Sequence, residues 1–167
     1  TPSPIRQIMS RIKQPEKVVE KIYRKPNIFV DKLSYKSLKK MHDTIGLRII
    51  VYFPSQLSLI DRELRNSEFF ELDENYPPIA YFEPEKLMRL GLNHIDNKQK
   101  DSGYTSLHYK VRLKQSSINL IDRPVFEIQV RSLAQELWCE LELVLSYKPE
   151  TRPNFSAKRR FQILSRD

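Results

Sequence analysis

The segment VFEIQVR at residues 125–131, introduced by Pro124, constrains this chain more than any other. Phe126, Ile128 and Val130 alternate with Glu127, Gln129 and Arg131, the period of a β-strand whose successive side chains point to opposite faces. One face belongs to an apolar core. The other carries charge, so a sheet built on this strand must compensate that face or leave it open. The pattern then changes without a break: over 132–147, Leu133, Leu137, Leu141 and Val144 recur at helical spacing and read as a buried stripe. A second alternating segment, Leu107 to Leu113, lies at hairpin-like distance upstream.

Pro15 stands where a first helical turn tolerates proline, Val18, Val19 and Ile22 follow at helical spacing, and Pro26 forbids continuation, so residues 15–25 read as a helix. IGLRIIVYF at 45–53 is rich in β-branched and aromatic residues and too short for a buried helix, which predicts a central strand. Ser55 is placed to cap a helix carrying Leu57, Ile60 and Leu64 on one face, before a short strand around Phe69 to Leu72. Between Glu74 and Lys100, prolines 77, 78 and 84 break the periodicity and leave a brief helix near 84–90. Interleaved helices and strands imply an α+β domain on a mixed sheet. Residues 1–148 form that domain, and 149–167 read as a linker and the start of a C-terminal helix.

At 167 residues the chain suits one domain, and it has no run of the roughly 18 apolar residues that a membrane span needs. Cys139, the single cysteine, excludes an intrachain disulfide and a multi-thiolate zinc site, and fits a reducing compartment, the cytoplasm. The formal charge of +8 favours anionic partners: nucleotides, phosphates or RNA.

Three glycines, Gly46, Gly91 and Gly103, cannot build a P-loop or a dinucleotide fingerprint, so any bound phosphate must be held by side-chain cations. SRIKQPEKVVEKIYRK at 10–25 supplies them: Arg11 and Lys13 precede the helix and Lys21 stands two turns into it, although a solvated helix face has the same composition. Asp43 and Glu127 each lie at the start of, or within, an otherwise apolar strand, where an ionised group is costly unless a cation compensates it. Magnesium, held by one or two carboxylates plus phosphates, would compensate them, and one of the acids could take a proton from a hydroxyl. Ion pairs such as Glu127 with Arg131 would serve equally well. GYTSLH at 103–108 offers a glycine turn, an exposed Tyr104 ring on which a base can stack, and His108, close to Lys98 and Lys100.

Taken together, SRIK at 10–13, DTIGLRI at 43–49, KDSGYTSLH at 100–108, EIQVRS at 127–132 and the W…LE…YK pattern at 138–148 resemble, in order and spacing, the RelA/SpoT synthetase domain. The resemblance implies a nucleotidyltransferase-like fold, a mixed sheet flanked by helices, that moves pyrophosphate from ATP to the 3′ hydroxyl of GDP or GTP and releases AMP. By motif position it implies that Arg11 and Arg48 sandwich the adenine, that Lys13 and Lys21 hold the ATP phosphates, and that Asp43 binds Mg²⁺. Glu127 would share the metal and activate the acceptor hydroxyl, with Gln129, His108 and Lys100 alongside and Tyr104 stacking on the acceptor base. Asp43 and Arg48 differ by an odd number, so either Gly46 marks a bulge or Asp43 precedes the strand. The chain departs from guanosine-alarmone makers where they carry Arg-x-Lys-Asp-Tyr; here stand Gly91, Asn93, His94 and Ile95. Leu143 replaces the histidine of the later helix, and Ser102 stands where some members have asparagine. The tRNA 3′ end, pyrophosphorylated by toxin-type relatives, therefore stays open as an acceptor, as do a catalytically inactive RNA-binding module and a homo-oligomer.

Overall fold

The computed structural model describes residues 3–100, 103–115, 119 and 123–147; the linker and helix expected over 149–167 lie outside them. Among the described residues, seven strands form one mixed sheet: β1 (Ile5–Ile12), β2 (Ile45–Val51), β3 (Phe70–Leu72), β4 (Ile79–Tyr81), β5 (Asp96–Asn97), β6 (Ser106–Leu113) and β7 (Phe126–Ser132). The spatial order is β1-β2-β7-β6-β4-β5, with β3 beside the far end of β6. Strands β2 and β7 run parallel, while β6 and β7 form the antiparallel pair that their spacing predicts. The helices are α1 (Pro15–Arg24), α2 (Tyr35–Lys39), α3 (Leu57–Arg65), α4 (Pro84–Arg89) and α5 (Leu133–Tyr147).

Register divides the sheet into two chemically different faces. Leu47, Ile128 and Tyr109 are successive cross-strand neighbours, as are Ile49, Val130 and Leu107, and this face joins Leu57, Ile60 and Leu64 of α3 and Leu87 of α4 in the main core. A smaller core of Val18, Ile22, Phe29 and Met41 anchors α1. The opposite face collects the residues that alternate with these, and it is the charged one.

Several expectations need correction. Strand β1 was invisible to periodicity because only Ile5 and Met9 of its apolar residues are even partly covered; it is an edge strand whose conformation comes from pairing with β2. The short elements α2, β4 and β5 carry too few residues to show a period. Ser55 does not cap α3: it lies inside a 3₁₀ turn, Pro54–Gln56, and it is Gln56 whose side-chain oxygen accepts from the Phe53 N–H. Gly46 marks no bulge, since the β2–β7 register runs unbroken from Gly46 to Val51; Asp43 precedes the strand.

The buried face of α5 is not the leucine stripe. Leu133 and Leu137 are 47% and 54% exposed, while Gln135, Glu136, Trp138 and Cys139 are buried. Polar anchors set this rotation: the Ser132 N–H donates to the Gln135 side chain at 2.8 Å, and Glu136 is held by Arg131 and Arg48. Of the expected stripe, the side chain of Val144 lies outside the described residues.

Candidate active site

Gly46, Glu127 and Lys110 are cross-strand partners, as are Arg48, Gln129 and His108, so these residues share the face turned away from the main core. Pairing of Arg11 with Gly46 and of Met9 with Arg48 extends that face onto β1. The result is a cavity of about 180 Å³ lined by Arg11, Asp43, Arg48, Glu127 and Gln129, together with Met9, Ser10, Gly46 and Leu47. An open trough of about 600 Å³ shares Arg11 with it and adds Lys13, Lys17, Glu20, Lys21 and Arg24.

The Lys13 N–H donates to the Thr44 carbonyl at 2.8 Å, which ties the end of β1 to the start of β2 and carries the Lys13 side chain to Asp43. Lys13 and Lys21 both grip Oδ2 of Asp43, at 2.6 and 2.7 Å. Oδ1 of Asp43 is buried with no hydrogen-bond partner among the described residues. Burial works against ionisation of this carboxyl, but the hydrogen bonds and charges of the two lysines outweigh it and hold Asp43 below the usual range. Burial also depresses Lys21, and Asp43 restores only part of that loss. Two ammonium groups on one oxygen leave a local excess of positive charge facing the trough.

Glu127 is satisfied from three sides. Lys110 donates to Oε2 at 3.0 Å, Gln129 donates to Oε1 at 2.7 Å, and His108 Nδ1 lies 3.5 Å from Oε2. Burial would raise Glu127, yet these partners overcome it and leave the carboxyl strongly lowered. Burial depresses His108 despite the neighbouring carboxylate, and the hydrogen bond and charge of His108, then Lys110 and Gln129, keep Glu127 ionised. Arg131 donates to Tyr104 Oη at 2.7 Å, and Tyr104 Oη lies 2.8 Å from His108 Nε2.

Tyr104 follows Gly103, whose φ of +77° makes the turn a glycine favours. Its ring is half-buried rather than exposed, packed edge-on against Tyr81 at 5.5 Å, with the Lys100 ammonium 4.4 Å from both ring centroids.

The fold and this geometry can be compared with known proteins. A family model described as a region found in RelA / SpoT proteins matches residues 10–152. The chain belongs to the RelA/SpoT family. Two relatives in Bacillus subtilis (strain 168) are the GTP pyrophosphokinases YwaC, 27% identical over 87% of this chain, and YjbM, 26% identical over 87%. The chain spans 60% and 58% of their respective lengths. The crystal structure of small alarmone synthetase 1 from Bacillus subtilis superposes with a TM-score of 0.67 at 25% identity, covering 98% of this chain and 73% of that one. The mixed sheet is therefore the RelA/SpoT synthetase fold.

All ten residues singled out from the RelA/SpoT motifs lie in one connected region. Arg11, Asp43, Arg48, Glu127 and Gln129 line the cavity, Lys13 and Lys21 hold Asp43, and His108, Tyr104 and Lys100 follow from Glu127 in a chain of contacts. Sequence reasoning passed over Lys110, Tyr81 and Glu136, and gave Arg24 no place in the site. Lys110 was legible in principle, two residues beyond His108 on an alternating strand. Arg131 was named as an ion-pair partner for Glu127, but it pairs with Glu136 at 2.9 Å and Lys110 takes Glu127 instead. Among the described residues no cluster of three or more His, Cys, Asp or Glu is grouped to hold a metal, and no helix is long and apolar enough to cross a membrane.

The titration of this region sets an acid limit on stability. His42 and His108 are both depressed, so the unfolded chain binds protons that the folded one refuses, and stability falls as pH drops below about 6.5. Asp43 and Glu127 are also lowered, which adds a second loss below about pH 4. Melting temperature measured from pH 8 to pH 3 is expected to decline in these two stages, and His108→Gln to shrink the first.

Proposed function

We propose that this chain transfers the β,γ-pyrophosphate of ATP to the 3′ hydroxyl of a guanine nucleotide, GDP or GTP, releasing AMP. The observation that carries the reading is Asp43: one oxygen is gripped by two lysines, the other is buried and unpartnered, and Glu127 and two arginines line the same cavity. An orphaned carboxylate oxygen opposite a second acid fits a hard divalent cation such as Mg²⁺, which takes one or two carboxylates and completes its shell with phosphates. Asp43 and Glu127 would hold it, and when bound it would supply charge neutralisation on the transferring phosphates.

Arg11 and Arg48 offer guanidinium planes for a purine, and Lys13, Lys21 and Arg24 beside the adjoining trough would hold its triphosphate. The acceptor oxygen attacks the β-phosphorus of ATP, the bond from that phosphorus to the α,β-bridging oxygen breaks, AMP leaves with the oxygen, and the hydroxyl proton passes to the Glu127 carboxylate. Gln129 and His108 orient that carboxylate. The Tyr104 ring, flanked by Tyr81 and Lys100, would stack on the acceptor base. Tyr104→Ala is expected to raise the acceptor KM by about tenfold, the scale of one lost base–aromatic stack, in steady-state assays of AMP release. The relatives' activity, named in GTP pyrophosphokinases YwaC and YjbM, agrees with this reading.

A second acceptor, the tRNA 3′ end, is kept as the alternative because of one departure from the guanosine-alarmone makers. The 91–95 segment, which replaces the acceptor-contacting stretch of guanosine-alarmone makers, is folded onto the core: Leu92 and Ile95 are buried and His94 bonds Asp61 of α3 at 2.9 Å. Incubation with ATP labelled in its γ-phosphate separates the cases. Label on GDP or GTP supports the proposal, and label on tRNA moves the acceptor to the second reading. Inertness toward both, with no AMP formed, would leave an RNA-binding module and end the enzymatic account.

A further inference from the structure

One carboxylate joins the two halves of the site. Glu136, buried at the start of α5, accepts from Arg48 through Oε1 and from Arg131 through Oε2 at 2.9 Å. Arg131 is itself buried, and all three nitrogens of its fork are engaged: Nη2 donates to Tyr104 Oη at 2.7 Å and to Gln129 Oε1 at 2.8 Å, and Nε donates to Ser106 Oγ at 3.3 Å. Gln129 bonds Glu127, and Tyr104 reaches it through His108. A continuous path of charge-assisted hydrogen bonds therefore runs from Arg48 to Glu127 and Tyr104.

We propose that Glu136 and Arg131 are positioning residues that couple the ATP-binding half of the site to the acceptor half. The inference rests on the reading of Arg48 as part of the ATP clamp. A guanidinium fixed by a buried, doubly bonded carboxylate is pre-organised to meet a planar ring; loosening that carboxylate from its far side frees Arg48 and weakens the clamp. The fork of Arg131 transmits this because it is planar and rigid: losing one of its acceptors relaxes the hold on Glu136. Tyr104, on the acceptor side of Glu127, thereby acts on ATP binding at a distance.

Titration calorimetry with α,β-methylene-ATP and MgCl₂ tests the coupling without any acceptor. Tyr104→Phe, which removes only the hydroxyl, is expected to raise the Kd by about fivefold, the lower range of coupling between sites. Glu136→Gln is expected to weaken binding by itself and to abolish the further effect of Tyr104→Phe. Arg131→Lys, which keeps the charge but loses the fork, serves in its place if Glu136→Gln does not fold. An unchanged Kd in Tyr104→Phe, or the same fold-change with and without Glu136, overturns the coupling while leaving the ATP site standing. Wild-type protein that does not bind the analogue would sink the ATP reading and this inference with it.

Discussion

Asp43→Asn is expected to reduce AMP release from ATP by about 10²–10³-fold, the cost of losing one preorganised electrostatic contact at a reacting centre. The substitution preserves volume, so its effect is one of charge. It removes the anion that Lys13 and Lys21 share and turns the unpartnered oxygen into part of a neutral amide, a poor ligand for a hard cation. The two lysines border an open trough and can rehydrate, so the fold should survive with a loss of about 1–3 kcal/mol. Steady-state assays of AMP release and a thermal melt check both parts; a variant of near-normal rate removes Asp43 from the chemistry.

Glu127→Gln should produce a different signature. Its partners hold the wild-type carboxylate ionised, the form that accepts a proton, while Lys110 restrains its basicity. Negative phosphates arriving beside it act in the opposite sense and raise its proton affinity. Removing the charge is expected to lower kcat by about 10²–10⁴-fold. The acceptor KM should change little, because the lost interaction matters most while the hydroxyl proton is leaving. A drop in acceptor affinity with unaltered kcat would make Glu127 a binding residue instead.

How much of this was legible in the residues follows from where burial is regular. VFEIQVR gave its strand and both faces because its neighbours on either side are strands, so every second residue is core. Strand β1 failed the same test for the opposite reason: as an edge strand it has few apolar contacts to print a pattern, and its extended form is imposed by hydrogen bonds to β2. Helix α5 misled because leucines at helical spacing read as buried, whereas its rotation is fixed by Gln135 and by Glu136 between two arginines. Such a bridge joins residues 48, 131 and 136, and no local spacing announces it. Motif order placed Asp43 and Glu127 in one domain, but the parallel pairing of β2 with β7 is what brings them to the same cavity.

The shared cation is the claim on which the rest turns, and anomalous diffraction from crystals grown with Mn²⁺ and α,β-methylene-ATP measures it most directly. We expect one manganese peak with a carboxylate oxygen of Asp43 and one of Glu127 each about 2 Å away, and the nucleotide phosphates completing its shell. A peak on the phosphates with Glu127 turned elsewhere, or a nucleotide bound outside the cleft of Arg11 and Arg48, would contradict the account.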